Sequence, residues 1–259
     1  MDMNSAFIIT ILILGFIGSF SSGLLGIGGA IINYPILLYI PVMLGLEGFT
    51  AHEAAGIVAV QVFFASLGGV WCYRKGGYIN KPLFMIMGSS IFIGSLLGGY
   101  ISRYISEIYV NVIYGVLALL AAIIMFIPTN DTPGDTYTGF NQKLAAVLAF
   151  IVGLVSGIIG AGGSFILIPI MLTVLKIPMR MTLATSMAIT FVSSIGGVIG
   201  KVTTNQVLFL PSILIVIVSL IAAPLGVKAS KQLNNEVLQW SLALLILMTS
   251  IKLWSDILL

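Results

Sequence analysis

Ten apolar stretches, parted by short polar breaks, account for nearly the whole chain. In the first half they run over 5–25, 29–45, 52–73, 82–103 and 108–127. In the second they run over 143–160, 163–176, 182–200, 207–228 and 236–256. Apolar residues follow one another without the every-second-residue alternation of barrel strands. Several runs exceed the roughly 18 residues that read as a membrane crossing. Hydrocarbon offers the backbone no outside partner, so each stretch is predicted to be a helix. The expected fold class is all-α, a polytopic membrane protein built from two repeats of five helical segments.

The repeat is written in the sequence. Ser22-Gly23-Leu24-Leu25-Gly26-Ile27-Gly28-Gly29-Ala30-Ile31-Ile32-Asn33-Tyr34-Pro35 returns as Ser156-Gly157-Ile158-Ile159-Gly160-Ala161-Gly162-Gly163-Ser164-Phe165-Ile166-Leu167-Ile168-Pro169, identical at seven of fourteen positions with an offset of 134. Further on the offset is 128. It pairs Phe63-Phe64-Ala65-Ser66-Leu67-Gly68-Gly69-Val70 with Phe191-Val192-Ser193-Ser194-Ile195-Gly196-Gly197-Val198, and aligns Leu97-Gly98 with Leu225-Gly226, Ser102 with Ser230 and Arg103 with Lys231. The expected organisation is a first repeat over 1–128, a polar linker over 129–142 and a second repeat over 143–259. An odd number of segments per repeat would invert one relative to the other.

Each glycine cluster closes one segment and opens the next. The short segments 29–45 and 163–176 favour a hairpin dipping partway into the bilayer over two full crossings. Glycine permits the tight turn and close backbone approach. The helix that starts after it presents free N–H groups and a positive dipole end, which suit an anion. A glycine-interrupted segment in each half is also the best sequence pointer to a transporter's site. Close packing of membrane helices is the competing reason for glycine here. The candidate binding residues are Gly26, Gly28, Gly29 and Ala30 in the first turn and Gly160, Gly162, Gly163 and Ser164 in the second. Pro35 and Pro169, six residues on from Gly29 and Gly163, can free a carbonyl and kink the following helix.

Composition agrees with a lipid solvent: 59% of the 259 residues are hydrophobic and 7% are charged. Ala6 to Phe20 is not expected to be a cleaved leader, since no basic stretch precedes it. The net charge of +3 carries no nucleic-acid signal, because the basic residues fall between apolar segments. With the N-terminus outside, eight basic residues (Arg74, Lys75, Lys81, Lys143, Lys176, Arg180, Lys228 and Lys231) face the cytoplasm, and three (Arg103, Lys201 and Lys252) face out. The bias matches the excess of positive charge in cytoplasmic loops. It places both termini outside a cell membrane and the linker within, with no Lys or Arg at depth.

Polar side chains inside the apolar runs are few. Asn33 and Gln61 stand in the first half; Ser164 and Ser194 are the leading hydroxyls of the second. Serine hydroxyls in membrane helices often bond back to their own helix, whereas the amide of Gln61 is costly in lipid. These four complete the candidate substrate site. His52, at the start of the third segment and matched by Arg180 in the second half, is a candidate for gating or proton linkage, or simply an interface residue. No carboxylate falls mid-segment, which disfavours a cation or proton pump.

Enzyme chemistry finds no footing. One histidine and one cysteine, Cys72, give neither a metal pair nor a disulfide. Gly26-x-Gly28 and Gly160-x-Gly162 lack the third glycine and preceding strand of a dinucleotide site. No nucleotide motif is present, and no cofactor or metal is expected.

The paired Gly-x-Gly-Gly turns, each followed by proline, the Ser-x-Gly-Gly-Val echo and the chain length resemble the sulfite exporter TauE/SafE-like permeases, also called 4-toluene sulfonate uptake permeases. The resemblance covers essentially the whole chain. It implies a permease for small sulfur-containing anions such as sulfite, thiosulfate or organosulfonates, alternating access around the two Gly breaks, and lipid as the surrounding partner. A channel for the same anions, or a non-transporting scaffold, are the alternatives. Substrate, direction, coupling ion and oligomeric state, a homo-oligomer included, stay open.

Overall fold

The computed structural model describes residues 5–26, 30–73, 77–125 and 139–234, and scattered positions between 236 and 255. These residues are helical throughout the predicted segments. In chain order they form α1 (Ser5–Leu25), α2 (Ala30–Met43), α3 (Ala51–Tyr73), α4 (Lys81–Ile101) and α5 (Glu107–Met125). The second half gives α6 (Gln142–Ile159), α7 (Ser164–Pro169), α8 (Met179–Thr203) and α9 (Phe209–Ser230). The helix ends are chemically marked. Asn80 and Asn141 lie in extended conformation and accept from the N–H groups of Leu83 and Leu144, capping α4 and α6.

Among the described residues six helices are long and apolar enough to cross a bilayer: α1, α3, α4 with its short 3-10 extension to Tyr104, α6, α8 and α9. The protein is a multi-pass, all-α membrane protein. The two segments after the breaks are shorter. The 14 residues of α2 give about 21 Å, well below the ~30 Å hydrocarbon core. In the second half the chain leaves α-geometry at Pro169 and continues as a π-turn over Ile170–Val174. Thr173 Oγ1 donates to the Pro169 carbonyl at 2.8 Å. Pro35 by contrast lies within continuous α2, so the two prolines act differently.

The central helices are α3 and α8, with 56% and 72% of their most apolar stretch buried. α8 packs on α3 and α4; α3 packs on α8 and α9; α4 runs along α6 and α9 along α1. The aligned positions exchange partners. A Cβ on Gly98 of α4 would stand 1.9 Å from the Leu154 carbonyl oxygen of α6, and one on Gly226 of α9 would stand 2.0 Å from that of Phe20 in α1. Gly98 aligns with Gly226, and Leu154 with Phe20. Phe63 and Phe191, also aligned, stack at 5.3 Å between α3 and α8. Outer faces of α1 and α9 expose Ile9, Ile13, Phe16, Ile213, Ile217 and Ile221, as a lipid-facing rim requires.

Candidate functional site

The second glycine break is built from three left-handed residues. Gly160, Gly162 and Gly163 have φ of 77°, 65° and 79°, a region that costs an L-residue about 1–2 kcal/mol. Gly160 closes α6: its N–H donates to the Gly157 carbonyl, and the Ala161 N–H to that of Ser156 at 2.9 Å. Gly163 precedes α7, and its carbonyl accepts from Ile166 and Leu167. A side chain on Gly160 would strike the Ala55 carbonyl of α3 at 2.0 Å. One on Gly162 would lie 2.7 Å from Val62 of α3 and 2.8 Å from Thr190 of α8. Glycine is thus required by backbone torsion and by approach to both central helices.

Hydroxyls gather around this break without bonding partners. Ser164 at the head of α7, and Thr190 and Ser193 one turn apart on α8, are fully buried, and among the described residues their hydroxyl oxygens have no hydrogen bond. Ser194 differs. Its Oγ donates back to the Phe191 carbonyl at 2.7 Å, so its proton is already engaged in its own helix.

At the first break Gly26 has φ of 70° and lies against Leu183 of α8, with Ser186 Oγ donating to its carbonyl at 3.4 Å. Gly28 and Gly29 lie outside the described residues, as does the side chain of Ala30, whose backbone opens α2. Asn33 is buried with neither amide atom bonded, and it packs where Gly18 of α1 leaves room. Gln61 Nε2 donates to Ser19 Oγ at 2.8 Å and to the Gly15 carbonyl at 3.4 Å, while its Oε1 is buried and unbonded. The first half thus contributes amides, held against α1, and the second contributes hydroxyls.

A third polar centre was not legible as such. Lys201, counted by sequence with the exterior charges, is fully buried. That corrects the expectation that no Lys or Arg lies at depth within the protein. Its Nζ donates to Ser102 Oγ at 2.6 Å, to the Ile158 carbonyl at 2.7 Å and to Gln206 Oε1 at 2.8 Å. Ile158 stands in the last turn of α6, so the ammonium sits at that helix's negative end. His52 places Nδ1 3.2 Å from Gln206 Oε1 and Nε2 3.0 Å from the Ile105 carbonyl. Its aligned counterpart Arg180 donates to the Ser230 carbonyl at 3.0 Å and to that of Leu233. Leu233 is the aligned partner of Ile105. Each basic residue therefore ties the start of a central helix to the end of the helix that follows it. Beside His52 a cavity of about 330 Å³ is lined by His52, Arg103, Thr203, Thr204, Asn205 and Gln206. The sequence signal for this centre was the alignment of Lys201 with Tyr73: a cation where the other half has a phenol.

Among the described residues no group of three or more His, Cys, Asp or Glu side chains could hold a metal ion.

The chain is similar to several bacterial and archaeal proteins. It is 23% identical over 263 residues to "Probable membrane transporter protein YunE" of Bacillus subtilis, covering 95% of this chain and 96% of that one. It is 26% identical over 238 residues to YdhB of the same organism, with 88% and 89% covered. It is also 26% identical over 238 residues to MJ0441 of Methanocaldococcus jannaschii, with 87% of each covered. Both carry the same transporter description. No solved structure matches the chain significantly. The family model for Sulfite exporter TauE/SafE matches residues 11–253, and the chain belongs to this family of membrane transporters.

Proposed function

We propose that the protein carries a small sulfur-containing oxyanion, of the sulfite, thiosulfate or organosulfonate class, across the cell membrane. The anion is held at the second glycine break. The observation that carries this reading is that the buried hydroxyls of Ser164, Thr190 and Ser193 have no hydrogen bond among the described residues, with Thr190 packed against Gly162. Buried polar atoms in proteins are nearly always paired, and each orphan costs about 1–3 kcal/mol. An oxyanion supplies the missing acceptors. Neutral donors bind it without a buried ion pair, whose separation would strand a charge and slow release. The Asn33 amide offers a further donor from the first half. The Gln61 Oε1, without a hydrogen bond among the described residues, is an acceptor suited to a hydroxyl or other donor on the cargo.

The exchange of partners between aligned helices supports two inverted repeats, 1–128 and 143–259 about the linker 129–142. The stacked, aligned rings of Phe63 and Phe191 then mark the axis about which the halves rock. In the orientation favoured by the basic residues, the termini and the His52 cavity face out.

Flux into proteoliposomes of isotopically labelled sulfite, thiosulfate, sulfate, taurine and sulfoacetate tests the reading. At least one sulfur oxyanion is expected to move. Gly162→Val should abolish that movement, since it imposes a side chain at φ 65°, while the protein still inserts. Full flux in Gly162→Val would return the break to a packing role.

A further inference from the structure

The cavity beside His52 is lined by an exposed guanidinium, that of Arg103, and by the side-chain amides of Asn205 and Gln206. Gln206 fixes the polarity of the cluster. Lys201 can only donate, so the Gln206 oxygen, not its nitrogen, faces it. Gln206 Nε2 is in turn spent on Thr204 Oγ1 at 2.8 Å. His52 then meets two acceptors, Gln206 Oε1 through Nδ1 and the Ile105 carbonyl through Nε2. Both ring nitrogens of His52 thus lie against oxygen atoms. Arg103 is exposed, lies over the Tyr104 ring at 5.0 Å and has no hydrogen-bond acceptor among the described residues.

The Arg103 guanidinium therefore stands at the wall of the cavity, and the hydrogen-bond partners of the buried Lys201 behind Gln206 are all neutral. The nearby carboxylates accept backbone N–H groups and do not line the cavity. Glu53 accepts from the Thr50 N–H at 2.9 Å and Glu107 from the Ala51 N–H at 3.3 Å, both at the head of α3. The negative end of α6 offsets about half a charge at Lys201. Asn205, held at φ 56°, adds a side-chain amide at the rim. The hydroxyls of Thr203 and Thr204 bond to carbonyls of their own helix and have no proton to offer.

We propose that this cavity is an anion-binding vestibule, a second site distinct from the glycine break. Arg103 and Asn205 hold a small oxyanion there, beside the His52 ring. The inference rests on the anion-transport reading for its ligand class. The vestibule adjoins the break: Lys201 Nζ bonds at once to Gln206 at the cavity wall and to the Ile158 carbonyl, two residues before Gly160. An anion captured here stands next to the path into the second break, and its local concentration rises in a field focused by low-dielectric walls.

His52 is the single histidine, so it reports on the cavity alone. The full chain, labelled with ¹⁵N-histidine and held in lipid nanodiscs, is titrated with sodium sulfite and, at equal ionic strength, with sodium chloride. Sulfite is expected to shift the imidazole resonances saturably, and chloride is not. Arg103→Gln, an exposed change, should weaken the sulfite midpoint roughly tenfold by removing a charge-assisted donor. Asn205→Ala should weaken it about threefold. Identical responses to both salts, or an Arg103→Gln midpoint equal to that of the unaltered chain, would overturn the vestibule. Sulfite flux in proteoliposomes keeps the two readings apart. Flux with a His52 signal blind to sulfite removes the vestibule and leaves the transport reading. A saturable shift without flux of any sulfur anion keeps the vestibule and removes transport.

Discussion

Lys201 Nζ and the Ile158 carbonyl oxygen lie 2.7 Å apart, joining the end of a central helix to the last turn before the second glycine break. Ser102 Oγ donates to the same carbonyl at 3.1 Å. The carbonyl is one of the orphan acceptors that every helix C-terminus leaves, and it has two donors. Removing either donor leaves the other.

That redundancy gives the first prediction. Lys201→Met removes the three bonds of Nζ together with the cost of burying that group, so alone it should change stability by no more than about 1 kcal/mol. Ser102→Ala should be similarly mild. The double variant strands the Ile158 carbonyl and should show a coupling of about 1 kcal/mol or more beyond the sum. Denaturant unfolding of the four proteins in mixed micelles measures it; additive effects would deny the shared acceptor.

The helix crossings set the second. A methyl on Gly98 would overlap the Leu154 carbonyl oxygen, whereas a methyl on Gly197 meets nothing within 4 Å. Gly98→Ala should push α4 off α6 and lower the yield of folded protein. Gly197→Ala should be tolerated or mildly stabilising, by up to about 1 kcal/mol of helix propensity. Size-exclusion profiles and thermal midpoints of both variants decide it. Equal behaviour would mean that close approach at Gly98 is not what holds the pair.

Hydroxyls with and without partners should separate stability from transport. Ser95 Oγ donates to the Ser193 carbonyl at 2.7 Å, linking α4 to α8, so Ser95→Ala should destabilise by about 1 kcal/mol. Ser164 and Thr190 have unbonded hydroxyls. Ser164→Ala and Thr190→Val should leave the thermal midpoint in place yet weaken anion affinity by roughly 0.5–3 kcal/mol each in flux competition. Lost stability together with unchanged affinity would assign those hydroxyls to structure.

Orientation is tested by labelling in a Cys72→Ser background. Gln142 at the head of α6 and Ser106 before α5 are both exposed. With the linker inside, Ser106→Cys reacts with an impermeant thiol reagent on intact cells, and Gln142→Cys reacts only after the membrane is opened. Reaction of Gln142→Cys on intact cells would reject the proposed topology and the inversion with it.

Helix positions can be read from the chain segment by segment, because bilayer thickness and the need for internal backbone bonding act on each segment alone. The lengths of α1, α3, α4, α6, α8 and α9 follow from runs visible in the chain. The second break was equally local: three glycines in four positions encode the left-handed turn at Gly160, Gly162 and Gly163. Which polar groups have partners emerges from the packing of the helices. A membrane helix is apolar toward lipid and toward its neighbours alike, so no amphipathic stripe in α3 or α8 marks the face that meets the core. Ser194 and Ser193 adjoin in sequence, yet one bonds to its own helix and the other has no bond. Lys201 reads as a charge at the end of an apolar run; it is buried because Ser102 of α4, Ile158 of α6 and Gln206 after α8 converge on it. That convergence depends on how helices distant in the chain pack together.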